Sequence, residues 1–150
     1  MPLEAWFDHG KLRVYRAAIE FCGWWDGVAV RARSLPAVKD QLDRAPTTMP
    51  LNIAEGNGKY SLRDRSRYLQ SAVGSALECA ACLDVLEVRR RLDAATATEG
   101  KQHLRSIVGM LIAPINSTAD RVQEQPALYD ASAGLRPGNP APTFTPTPTL

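Results

Sequence analysis

The stretch from Leu51 to Ser61, "LNIAEGNGKYS", decides how this chain is read. Glycines and a lysine close together raise the question of a phosphate-binding loop, which needs G-x-x-x-x-G-K-[ST] between a strand and a helix. Counting back from Gly58-Lys59, the first glycine position holds Ile53, and Tyr60 stands where Ser or Thr is required. The loop fails at both positions. Gly56, just past an apolar periodic run, instead has the form of a left-handed helix C-cap. Ser61 followed by Asp64 has the form of an N-cap for a new helix. The stretch therefore predicts stop, turn and start: an interhelical corner.

Outward from this corner the pattern is helical on both sides. Before it, Val38, Leu42, Ala45, Met49 and Ile53 share one face, with Pro46 and Pro50 expected to project away from that face and bend the helix. After it, Leu62, Leu69, Val73, Ala76, Ala80 and Leu83 recur at helical spacing, and the helix is predicted to run to about Arg91. A fourth segment follows Leu104, Val108, Leu111, Ile115, Thr118 and Val122, with Pro114 a local bend. The first carries Tyr15, Ala18, Cys22, Trp25, Ala29 and Ala32 as one stripe. Gly23 and Gly27 weaken that helix by roughly 1 kcal/mol each, or else admit a neighbouring helix closely. Pro36 suits the first position of the second helix. Short connections between long amphipathic helices predict an all-α, up-down antiparallel four-helix bundle over residues 1–124. From 125 to 150 the chain becomes Pro/Thr-rich, ending "PGNPAPTFTPTPTL", and is predicted to be a disordered or extended tail.

The chain has 150 residues, 45% of them hydrophobic and 23% charged, enough for one globular domain without staples. A formal charge of +2 is too small to imply a nucleic-acid partner by itself, so that case rests on local clustering. No apolar run reaches membrane-spanning length and the N-terminus lacks a leader pattern, so no membrane association and a cytoplasmic location are expected. Three cysteines do not suggest a disulfide framework. Cys79 and Cys82 form a C-x-x-C pair, but within a helical pattern with no preceding strand, where cysteine packs as a small hydrophobe. His9 and His103 lie far apart without metal-ligand spacing. No metal, cofactor or catalytic constellation is expected, and the chain reads as a non-enzyme.

The second helix carries a further line. Gln41, Arg44, Thr48, Asn52 and Glu55 step by three, four, four and three residues, in a narrow arc beside the apolar stripe. Such a line is either a solvated face or a paired polar seam, because an unpaired buried polar group costs about 1–3 kcal/mol.

From Gln41 through Glu78 the chain resembles the four-helix-bundle family that includes the 23S rRNA intervening-sequence proteins. The resemblance rests on Gln41, Arg44, Thr48, Pro50, and the block Asn52-Ile53-Ala54-Glu55-Gly56. It continues through Tyr68-Leu69 and Gly74, Ser75 and Glu78, with Val14-Tyr15 matching near the start of the first helix. Thr48 replaces the family's usual serine, and Pro46 stands where a small helix former is usual. The resemblance implies a non-enzymatic bundle assembling as a homo-oligomer, specifically a pentamer. It also implies a relation to accessory proteins of diversity-generating retroelements, which bind nucleic acid and a reverse transcriptase. On this basis the polar line is expected to be a seam or interface.

Two functions compete on the residues. The first is nucleic-acid binding, RNA or DNA, through Lys59, Arg63, Arg65 and Arg67, which crowd the corner and the opening turns of the third helix. Cations there oppose the helix dipole, and phosphate contact would offset that cost. Arg89, Arg90 and Arg91, at the other end, suit a helix C-terminus. With only Tyr60 and Tyr68 interleaved, base-specific reading is not expected. The second function is a protein-interaction scaffold that binds no nucleic acid.

Overall fold

The computed structural model describes residues 4–30 and 35–124, with side chains through residue 121. Ala32, the side chain of Val122 and the segment 125–150 lie outside the described residues. A 3-10 turn, Asp8–Lys11, leads into α1 (Arg13–Ala29), α2 (Pro36–Asn57), α3 (Leu62–Val88) and α4 (Ala94–Glu124). Each helix packs on its neighbours in the chain and α1 closes against α4, while the diagonal pairs do not meet. That ring of four, joined by short connections, is the up-down antiparallel bundle the periodicity predicts.

Its core is built from Phe21, Trp25 and Val28 of α1 and from Leu42, Met49 and Ile53 of α2. Ala76, Cys79, Leu83 and Leu86 of α3 face Leu104, Ile107 and Leu111 of α4 across it. The helix boundaries follow local chemistry. Leu35 is held extended before Pro36, and Pro36 opens α2 where its missing N–H costs nothing. Ser61 Oγ accepts from the Asp64 N–H at 3.3 Å, the N-cap expected at the corner. Asp93 does the same for α4, accepting from the Thr96 N–H at 2.9 Å.

Four expectations are corrected. Pro46 and Pro50 point inward and are buried, because α2 packs on both α1 and α3 and so buries a wider arc than one stripe. Pro50 has no N–H for the Pro46 carbonyl, and the Cys22 thiol donates to that oxygen at 3.1 Å instead. The helix passes through both prolines unbroken. Gly56 does not end α2, which continues to Asn57 and caps at Gly58 in a right-handed conformation. Gly23 and Gly27 meet no neighbouring helix within the protomer, since nothing lies within 4 Å of the position a Cβ would take at either.

Last, α3 stops at Val88, short of Arg91. The Arg91 N–H donates to Leu86 O at 2.8 Å and the Arg90 N–H to Glu87 O at 2.9 Å, the two bonds of a Schellman cap. That cap needs a left-handed residue, and Arg90 takes it with φ 53°. Arginine carries a Cβ penalty there that glycine avoids. Arg90→Gly is therefore expected to stabilise the bundle by about 0.5–1 kcal/mol. A thermal melt that falls on this substitution would show that the Arg90 side chain contributes more than its backbone costs.

The cysteines serve packing. All three are free, and burial pushes the Cys79 thiol up to about 12. A thiol so held is a poor nucleophile near neutral pH, unlike the low-pKa cysteines of redox motifs. Between α3 and α4, Lys101 Nζ donates to Asp84 Oδ1 at 2.8 Å and to Glu87 Oε2 at 3.0 Å.

Candidate nucleic-acid interface

The corner is tight because Gly56 lacks a side chain. A Cβ there would lie 3.0 Å from Tyr68 Cβ and 3.3 Å from the Arg65 carbonyl oxygen, so α2 and α3 meet almost backbone to backbone. The last carbonyls of α2 have no partners within their own helix and need outside donors. Arg65 reaches across to supply them, with Nε 3.4 Å from Gly56 O and Nη2 3.1 Å from Asn57 O. Its charge also sits at the negative end of the α2 dipole. Arg65 is a cap.

The other three cations of the cluster remain on the surface. Lys59 Nζ pairs with Glu55 Oε1 at 2.6 Å and lies 5.0 Å from the centre of the Tyr68 ring. The hydrogen bond to Glu55 raises the lysine above its ordinary pKa, so it stays charged. Arg63 and Arg67 are exposed and make no side-chain hydrogen bond or ion pair among the described residues.

Two adjoining clefts share Lys59 and Tyr68. One is lined by Lys59, Asp64, Arg67, Tyr68 and Ser71. The other runs toward the N-terminus and takes in His9, Leu51, Asn52 and Glu55 with Lys59 and Tyr68. The polar line of α2 thus feeds into the same surface as the cations. Gln41, Thr48 and Asn52 are half-buried, while Arg44 and Glu55 are exposed, so within the protomer the line is not a buried seam. Arg44 Nη2 donates to Gln41 Oε1 at 2.7 Å, and Thr48 Oγ1 donates to Arg44 O at 2.9 Å.

The structure adds residues that periodicity could not place. The segment ahead of α1 folds back beside α2, pinned by Arg16 Nε donating to Gly10 O at 2.8 Å. It brings His9 into the cleft, stacked on Phe7 at 5.9 Å between ring centroids and edge-on to Tyr15 at 4.8 Å. The run Trp6-Phe7-Asp8-His9 was the signal available, an aromatic cluster with no helical stripe to belong to.

A second unread feature is the outer line of α3. Arg63, Arg67, Gly74, Leu77, Ala81, Val85 and Val88 fall within an arc of about 80° at helical spacing, and all are exposed. One helix face is therefore basic at its start and, past the exposed Gln70 in the same arc, carries Gly74 and apolar side chains along the rest.

Among the described residues there is no group of His, Cys, Asp and Glu that could hold a metal ion, and no helix long and apolar enough to cross a membrane. A search of curated proteins finds no match to this chain. The family model for the 23S rRNA-intervening sequence protein matches residues 10–113, spanning α1 to α3 and most of α4 and including the whole corner. Together with the four-helix bundle, that match places the chain in the 23S rRNA-intervening sequence protein family.

Proposed function

We propose that this protein is a non-enzymatic, homo-oligomeric bundle that binds the phosphate backbone of RNA or DNA at the α2–α3 corner. One observation carries the reading: Arg63 and Arg67 stand exposed and, among the described residues, unpaired in the opening turns of α3, with Arg63 in the first turn against its dipole. Intramolecular pairing explains Arg65 and largely explains Lys59, and leaves these two without a structural purpose. Phosphate would supply one, and repetition around an oligomer would multiply a modest charge. Family membership is compatible with a role near nucleic acid.

Arg63→Gln with Arg67→Gln should weaken binding of a labelled oligonucleotide while leaving the fold intact. Each lost phosphate contact should reduce the slope of log affinity against log salt by roughly 0.7 to 0.9. An identical slope in wild type and variant would remove these arginines from the site.

The outer line of α3 favours a second reading, a scaffold assembled through protein contacts alone. Leu77, Val85 and Val88 are exposed there, and Gly74 has open space above it. In that case oligonucleotide binding would be absent even at low salt. A reverse transcriptase, as for the related accessory proteins, is the partner we would test first for such a scaffold.

A further inference from the structure

We propose that the corner selects single-stranded nucleic acid, with phosphates against Lys59 and Arg67 and bases stacked on Trp6, Phe7 and Tyr60. This rests on the phosphate-binding reading and adds the kind of strand bound. Large aromatic side chains normally bury most of their area. Here Trp6 is 82% exposed, Phe7 72% and Tyr60 fully so, whereas Trp25 and Phe21 are in the core. Phe7 is the ring the contacts tie to the cleft, with Trp6 beside it in the chain. Phe7 stacks on His9 with 8° between ring planes, and His9 lines the cleft that Lys59 and Tyr68 also line. Tyr60 follows Lys59 directly at the turn, on the way to Arg63.

That arrangement is what a single strand asks for. Every base has an apolar face that stacks on an aromatic ring without sequence preference, and the backbone follows the positive charges. A duplex hides those faces in its own stack, so it could use the cations but not the rings. The pinned fold-back of the N-terminal segment makes the platform part of the fold: Arg16 holds Gly10 O, and a Cβ at Gly10 would come within 3.2 Å of Ala5 Cα. Glu55 and Asp64 temper the positive charge, Glu55 by pairing with Lys59, so Arg67 supplies the cleft's unshared cation and Lys59 meets phosphate only by sharing its ammonium with Glu55.

The test measures binding of a labelled oligothymidine and of a duplex of equal length, across a salt series, to wild type and to a Trp6→Ala/Phe7→Ala/Tyr60→Ala variant. Wild type should prefer the single strand. The variant, which removes three stacking rings, should lose roughly 100-fold or more in single-strand affinity, with its salt slope and duplex affinity unchanged, since no phosphate contact is removed. Tryptophan fluorescence should be quenched by oligothymidine in wild type and much less in Trp6→Phe. Equal affinity of wild type for strand and duplex, with no loss in the variant, would overturn the stacking platform while leaving phosphate binding standing. A variant that keeps its affinity but falls in oligomeric mass would also overturn it, assigning the rings to contacts between copies. No binding of either probe at low salt would overturn both readings together.

Discussion

Gly100→Val is expected to destabilise the bundle by about 2–4 kcal/mol, more than any surface change. A Cβ built on Gly100 would collide with Trp24 Cη2 and lie 2.8 Å from Trp24 Cζ3 and 2.7 Å from Leu83 Cδ1. The indole occupies the space where the side chain would be. It cannot simply swing away, because it stacks on Phe21 at 5.4 Å and lies 5.9 Å from the His103 ring. A glycine inside a helix costs roughly 1 kcal/mol against alanine, and here that cost is offset by letting Trp24 seal α1 against α4. Displacing the indole forfeits its packing and strains Leu83 from the other side. Thermal melting should fall by several degrees for each kcal/mol lost. The Trp24→Ala background should tolerate the valine far better, and that coupling is the specific test. A melt of Gly100→Val within a degree or two of wild type would mean that α1 and α4 adjust freely at this layer.

Gly100 also shows where sequence reading stops. Apolar periodicity found Ala18 and Trp25, Leu42 to Ile53, Leu69 to Leu83 and Leu104 to Leu111, and all of these lines face the core. It works because a helix repeats its facing residues by geometry alone. Glycine and proline have no such rule, since their meaning depends on the neighbour. Gly56 resembled a stop signal and is a contact between two helices, while Gly100 carried no signal and is another. Pro46 and Pro50 stand just beside the apolar stripe, and only the packing of α2 on two helices turns that flank inward. The same holds for the site. The basic cluster was legible as a cluster, but Arg65 and Arg67 are two residues apart in sequence and differ completely in role. Arg65 lies toward α2 and caps it, whereas Arg67 lies toward solvent. The aromatic rim was not legible because it depends on a fold-back outside any helix.

Leu77→Lys together with Val85→Lys is expected to convert the proposed oligomer into a folded chain of 16.4 kDa. Both residues lie on the outer line of α3, 58% and 40% exposed in the protomer, with Val88 further along at 82%. Gly74 stands in the same line with nothing within 4 Å, so another helix could approach α3 closely there. An exposed apolar stripe is unfavourable in a solvated monomer and favourable once covered, at about 25 cal/mol per Å² removed from water. Lysine at two of its positions would bury unpaired charge in any assembly that uses the stripe, and breaking a contact in that way is far costlier than losing apolar area alone. In the isolated protomer the same lysines remain in water, so helicity and cooperative melting should persist. Light scattering of wild type and variant at equal micromolar concentration checks this directly. The alternative interface is the polar line of α2, where Asn52 is half-buried and its carboxamide makes no hydrogen bond among the described residues. Should Asn52→Leu dissociate the assembly while the double lysine variant leaves it intact, copies meet through α2 and the apolar line of α3 serves a different partner. A wild type already monomeric at that concentration would sink the homo-oligomer itself. The stripe would then stand as the docking face of the scaffold reading.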